Sequence, residues 1–227
     1  MSLKILVVED DPLMLDLMAQ VLASFEAQVR PLGDSEEAAA LVERERFDGI
    51  FLDLQMPKMN GFQLAGKIRQ SPSNRSTPIV IVTGHDDPKV MAQAFAVGGT
   101  FFLQKPVDRP KLAKLFKIAR GIMFENQRRY IRVPLQTEVT CEIGPKTVKG
   151  TGVNISEGGI LIEISGIGGP STTVLLSLRV PGQSSNSSIT GVVAWVDERK
   201  GRTGIQFTTI PPKDKQFIRE FITSYLT

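Results

Sequence analysis

At 227 residues, with 41% apolar and 22% charged side chains, the chain has room for two domains that each bury a core, and a peptide hormone, a fibre or a largely disordered tail is excluded. Its net charge of +3 is too small for bulk nucleic-acid binding, so any basic function has to come from local clustering. The lone Cys141 allows no internal disulfide, acids interrupt MSLKILVVEDD after Val8, and no run approaches the roughly 20 apolar residues of a membrane span, so a cytoplasmic chain without direct membrane insertion is expected.

From residue 3 to about 120, short apolar runs alternate with stretches of helical period, as in a parallel sheet covered on both faces. The strands expected, in chain order, are 3–8, 27–32, 48–53, 78–83 and 100–105. The helices expected are 13–25, 35–47, 62–70, 88–98 and 109–124. In the first of these, Leu13, Leu17, Val21 and Phe25 recur on one face and are expected to look into the core. Five βα units of this kind make an open, doubly wound α/β fold.

After about Asn126 apolar and polar residues alternate over short spans, punctuated by Gly, Ser, Asn and Pro. Strands are expected at 137–143, 147–155, 159–165, 172–180, 187–198 and 201–208, enough to close a small antiparallel β-barrel. Trp195 reads as barrel core, with a place lining the ligand side as the alternative. A helix over 211–226, with Phe217, Phe221 and Tyr225 on one stripe and Ile218 and Ile222 beside it, is expected to cap the barrel. The segments 168–173 and 181–188 read as turns, and there is no internal repeat. His85, without a second histidine, has no metal role.

In an open parallel sheet ligands sit beyond the carboxyl ends of the strands. There stand Glu9, Asp10 and Asp11 after the first strand, Asp53 after the third, Thr83 after the fourth and Lys105 after the fifth. Each alone has an ordinary explanation, such as a helix cap or a solvated charge. Together, three carboxylates in one crevice repel unless a hard divalent cation such as Mg2+ neutralises them. A carboxylate can also be a nucleophile toward phosphorus, and a phosphorylated Asp53 would have a hydroxyl and an ammonium beside it, a set suited to making and holding an acyl phosphate.

The runs ILVVEDD, FLDLQMPKMNG, VTGH and FFLQKP resemble the receiver domain of two-component response regulators, over residues 1–122. The resemblance implies a flavodoxin-like fold in which Asp53 accepts phosphate from a histidine kinase or a small phosphodonor. It implies that Glu9, Asp10 and Asp53 bind Mg2+ with the Gln55 carbonyl, and that Thr83 and Lys105 contact the phosphoryl group. Phe102 matches the family's switch aromatic, and a homodimer through the receiver is a further implication. Glu9 stands where many members have Asp.

The helix at 109–124 is basic, and the chain then enters ENQRRYIRVPL. Lys117 and Arg120 fit a helix C-terminus. Arg128, Arg129 and Arg132 beside Tyr130 go further, since planar guanidiniums grip phosphates bidentately and match the O6 and N7 edge of guanine. Downstream, NISEGGI could be any tight turn. Paired with Arg128-x-x-x-Arg132, however, Asn154-x-Ser156-x-x-Gly159 resembles a PilZ domain, over residues 123–227. That resemblance implies cyclic di-GMP binding by Arg128, Arg129, Arg132, Asn154, Ser156 and Gly159. The expectation is a non-enzymatic response regulator whose phosphorylation is coupled to cyclic di-GMP binding and read out by a downstream protein. A protein-docking adaptor that binds no nucleotide is the alternative; a DNA-binding regulator fits less well because the second half lacks a helix-turn-helix pattern.

Overall fold

The computed structural model describes residues 2–84 and 87–225, so His85 and the final residue of the expected terminal helix, Leu226, lie outside the described residues. The chain divides into two compact units, Met1–Gln127 and Arg128–Thr227.

The first unit runs β1 (Lys4–Val8), α1 (Pro12–Ala23), β2 (Gln28–Leu32), α2 (Ser35–Arg44), β3 (Gly49–Asp53), α3 (Gly61–Gln70), β4 (Ile79–Thr83), α4 (Pro88–Ala96), β5 (Phe101–Gln104) and α5 (Arg109–Tyr130). Its strands are all parallel, in the order β2-β1-β3-β4-β5. Every residue of β3 and β4 is buried, which requires cover on both faces. Alternation divides the strands accordingly: Leu6, Ile50, Leu52 and Ile81 pack with Val42, Leu64 and Ile68 of α2 and α3, while Ile5, Val7, Phe51 and Val80 pack with Leu22 of α1 and Leu112 and Phe116 of α5. Helix starts are set by side chains that satisfy free N–H groups: Asp11 for α1, Asp34 for α2, an Asn60–Gln63 capping box for α3 and Asp87 for α4.

Two sequence expectations need correction here. Leu13 is 84% exposed, because the stripe that α1 turns to the core runs through Met14, Met18, Val21 and Leu22 and leaves Leu13 to its side. The last helix also continues past Phe124 to Tyr130. Its extension is held by polar contacts that carry no apolar period. Gln127 Nε2 donates to Asp48 Oδ2 and to the Ser2 carbonyl, both at 2.9 Å, and Arg46 donates to the Asn126 carbonyl. Asp48 is buried, and desolvation raises its carboxyl above the usual range despite the Lys4 N–H and the Arg46 guanidinium beside it.

The second unit contains β6 (Val133–Pro134), β7 (Glu138–Ile143), β8 (Lys146–Ser156), β9 (Gly159–Glu163), β10 (Thr173–Leu178), β11 (Ser187–Asp197), β12 (Arg202–Thr209) and α6 (Pro212–Ser224). The order β8-β7-β10-β11-β12-β9 returns to β8 through the β8–β9 pairing, so six antiparallel strands close a barrel, with β6 riding on β8. Val139, Cys141, Ile155, Ile160, Leu176 and Ile205 fill it, and α6 contributes Ile218 and Ile222. The stripe that α6 buries is thus the isoleucine pair; Phe221 is only partly buried against the core and Tyr225 is 54% exposed. Burial pushes the Cys141 thiol up to about 11, leaving it a small apolar filler.

Trp195 is the other correction. Gly191 and Val193 alternate inward on β11, and strict alternation would bury Trp195 as well. A bulge between Val193 and Trp195 against β12 shifts the face by one residue, so the indole is 46% exposed and lies over Gly204. Among the described residues no helix is long and apolar enough to cross a membrane.

The aromatic packing of α5 on the first unit's sheet is the contact that most directly tests this architecture. Phe116 is buried, with its ring centroid 5.4 Å from Phe25 and 6.4 Å from Phe51. Phe116→Ala is expected to destabilise the first unit by about 3–5 kcal/mol, read from the loss of helical circular dichroism in denaturant.

Candidate functional site

Parallel pairing brings the carboxyl ends of β1, β3, β4 and β5 to one edge. Glu9 follows β1 and is 1% exposed; Asp53 ends β3 and is 2% exposed. Asp10 is exposed, and the carboxylate oxygens of Glu9, Asp10 and Asp53 lie within 4.8 Å of one another. Asp11, by contrast, spends its side chain on the N–H groups of Leu13 and Met14 and is a helix cap. Lys105, just past β5, reaches back with Nζ 2.9 Å from Glu9 Oε1 and 3.0 Å from Asp53 Oδ2. The preceding register fixes that reach, since Gln104 pairs with Thr83 and the Lys105 N–H donates to the Thr83 carbonyl.

The electrostatics are those of a cation site. Burial raises the Glu9 carboxyl, the Lys105 hydrogen bond lowers it, and the Asp53 charge raises it again, for a net increase. Burial depresses Lys105, but its hydrogen bonds to Glu9 and Asp53 outweigh this and raise it. One ammonium faces three carboxylates, and Glu9 Oε2, also 2.9 Å from Nζ, is buried outside hydrogen-bonding geometry. An oxygen-rich site with this surplus of negative charge fits Mg2+. The Gln55 N–H donates to Asp53 Oδ1 at 3.2 Å, holding the loop after β3 against the carboxylate. Gly61 permits that loop, because a Cβ there would run into the Asp53 carbonyl.

Thr83 ends β4 and is buried, one residue beyond the Asp53–Val82 pair. Phe102 is half-buried, its ring 4.5 Å from that of Phe95 on α4, and it packs on the face opposite its neighbour Phe101. Phe95 is itself 54% exposed, so the aromatic pair sits where the β5 and α4 surface meets solvent.

The second unit gathers the other predicted residues around the β8–β9 turn. The two-residue β6 pairs Pro134 with Asn154 and Val133 with Ile155, which carries Arg132 alongside β8. Its Nη1 donates to Asn154 Oδ1 at 3.0 Å. A register shift between Gly152 and Asn154 bulges β8 just before that asparagine. Ser156 is buried, donating to the Gly159 carbonyl and accepting from the Gly158 N–H, so its hydroxyl closes the turn. Gly159 is fixed by packing, since a Cβ would meet the Ile205 carbonyl of β12. Arg128 and Arg129 sit in the last turn of α5, with Arg129 exposed.

Sequence reasoning missed three residues here. Glu157, buried within the turn, accepts from Arg128 Nε at 3.2 Å and from Arg219 of α6. A cavity of about 470 Å³ beside it is lined by Arg129, Glu157, Gly158, Phe207 and Lys215. Lys215 and Arg219 are spaced one helical turn apart in a helix that otherwise reads as a cap, and only its docking on the turn reveals them. The strand β6 was equally hidden, its one signal being the alternation of Ile131, Val133 and Leu135 around a proline.

If the carboxylate cluster is a Mg2+ site, calorimetric titration of MgCl2 should show binding at neutral pH that weakens on acidification. Because Glu9 is raised, the loss should begin above the pH at which an exposed carboxylate protonates, and Asp10→Asn should remove most of the binding heat.

Comparisons with known proteins agree with this geometry. The response regulator receiver domain family matches residues 5–117, and the PilZ domain family matches residues 126–224. The chain is 34% identical over 114 residues to a 14.6 kDa protein of Leptolyngbya boryana, covering 50% of this chain and 87% of that one. It is also 34% identical over 108 residues to the response regulator PleD of Caulobacter vibrioides, covering 48% of this chain but only 24% of the relative. Among solved structures, the chemotaxis response regulator CheY4 of Vibrio cholerae is 30% identical with a TM-score of 0.50, covering 52% of this chain and 98% of that one. The chain therefore belongs to the response regulator receiver family and carries behind its receiver an output domain of the PilZ, cyclic di-GMP-binding type.

Proposed function

We propose that this chain integrates two signals: phosphorylation at Asp53 and binding of cyclic di-GMP by the second unit. The observation that carries the first is the Lys105 ammonium held 3.0 Å from a buried Asp53 carboxylate at the sheet's ligand edge. An Asp53 oxygen attacks phosphorus of a kinase phosphohistidine, forming the O–P bond as the N–P bond breaks and the imidazole leaves. Lys105, already paired to Glu9 and Asp53, turns to the new phosphoryl oxygens, and the Thr83 hydroxyl hydrogen-bonds to them. Glu9, Asp10 and Asp53, with the Gln55 carbonyl, would hold Mg2+, which would offset the charge of the carboxylates and the incoming phosphoryl group.

For the second unit, Arg128 and Arg129 lie beside the β8–β9 turn and Arg132 beside Asn154, and their guanidiniums suit phosphate and guanine recognition. Ser156 and Gly159 support the site by shaping that turn, while Asn154 offers its amide beside Arg132. Among the described residues after Tyr130 there are seven strands and one helix, which favours nucleotide sensing over DNA reading. Helix α5 begins four residues after Lys105 and ends with Arg128, Arg129 and Tyr130. Through it, a change at Thr83 and Phe102 would alter the presentation of the arginines, and output passes to a downstream protein.

Acetyl phosphate should label the wild-type chain in the presence of Mg2+ and leave Asp53→Asn unlabelled. Arg132→Ala should weaken cyclic di-GMP binding on the order of tenfold to a hundredfold by calorimetry. Coupling is reciprocal, so phosphorylated and unphosphorylated protein should differ in dinucleotide affinity. Equal affinities would leave two independent inputs, and no binding in either state would leave the second unit as a docking adaptor.

A further inference from the structure

Buried in the β8–β9 turn, Glu157 faces two arginines from opposite ends of the second unit. Its side chain is 3% exposed, whereas those of Arg128 and Arg219 are 25% and 39% exposed. Oε1 accepts from Arg128 Nε and from Arg219 Nε, both at 3.2 Å, and Oε2 lies 3.4 Å from Arg219 Nη2. Taking a carboxylate this far from water is costly unless a cation sits against it. Two cations share this one.

The choice of atoms matters for ligand binding. A guanidinium grips a phosphate side-on through Nε and the neighbouring Nη, and Glu157 occupies Nε of Arg128. A phosphate arriving at Arg128 therefore meets a resident anion. Arg219 contacts both carboxylate oxygens, so it can keep Glu157 paired when Arg128 turns away.

We infer that Glu157 is a built-in competitor that holds Arg128 in the ligand-free state, and that Arg219 is the positioning residue that takes over the carboxylate when a dinucleotide phosphate displaces it. This rests on the reading of the second unit as a cyclic di-GMP site. Removing the competitor and removing its second partner then act in opposite directions. With Glu157→Gln, Arg128 is released from a charged partner and binding tightens. With Arg219→Gln, recruiting Arg128 to ligand would strand a buried carboxylate, and binding weakens.

The test is calorimetric titration of cyclic di-GMP into the full chain, comparing wild type, Glu157→Gln, Arg219→Gln and Arg132→Ala, with thermal unfolding of each variant. Expected is a Kd on the order of fivefold to tenfold lower for Glu157→Gln and higher by a similar factor for Arg219→Gln. Should Glu157→Gln not fold, Arg219→Gln decides: weaker binding supports the competition, and unchanged or tighter binding overturns it. If wild type binds and Glu157→Gln binds no more tightly, the competitor role falls while the dinucleotide site stands. If neither wild type nor either variant binds, while all remain folded, the dinucleotide reading itself falls and the competition with it.

Discussion

Taking a carboxylate out of water costs several kcal/mol unless a cation is brought against it. In the first unit that requirement falls on Lys105, placed by the register of β5 beside β4 so that one ammonium serves both Glu9 and Asp53. Away from that edge, Asp48 is held by Arg46, the Lys4 N–H and Gln127, and the last of these draws the end of α5 against the sheet. In the second unit Glu157 is held by Arg128 and Arg219. Each of these pairings holds a buried carboxylate, so the sites and the local fold share the same residues.

Pairing also explains why these positions are suited to signalling. A cation wanted both by a carboxylate and by a phosphate has two partners to choose between, and changes in charge shift the choice. On the proposed reading, Lys105 would stand between Asp53 and a phosphoryl group in this way, and Arg128 between Glu157 and a dinucleotide.

Much of this was legible in the sequence. The apolar runs of β1, β3 and β4 are continuous because both faces are buried, and the residues just past them are therefore readable as an edge. The barrel strands followed from alternation, and Asn154 and Arg132 do meet. What escaped was wherever a local irregularity broke the period. A bulge turned Trp195 outward, a core stripe centred on Met14 and Met18 left Leu13 in solvent, and polar anchoring extended α5 without an apolar signal. Glu157 and Arg219 escaped for another reason: their partnership spans 62 residues, and no spacing rule connects them.

The outward turn of Trp195 has a practical side. It is the chain's sole tryptophan, half-exposed on the barrel wall, and the first unit has none. The protein thus carries an intrinsic fluorophore confined to its output domain, whose emission is sensitive to the wetness of one face. Light emitted at tryptophan wavelengths reports directly on the barrel, and a spectral response to acetyl phosphate would mean that an event at Asp53 had been felt in the other unit.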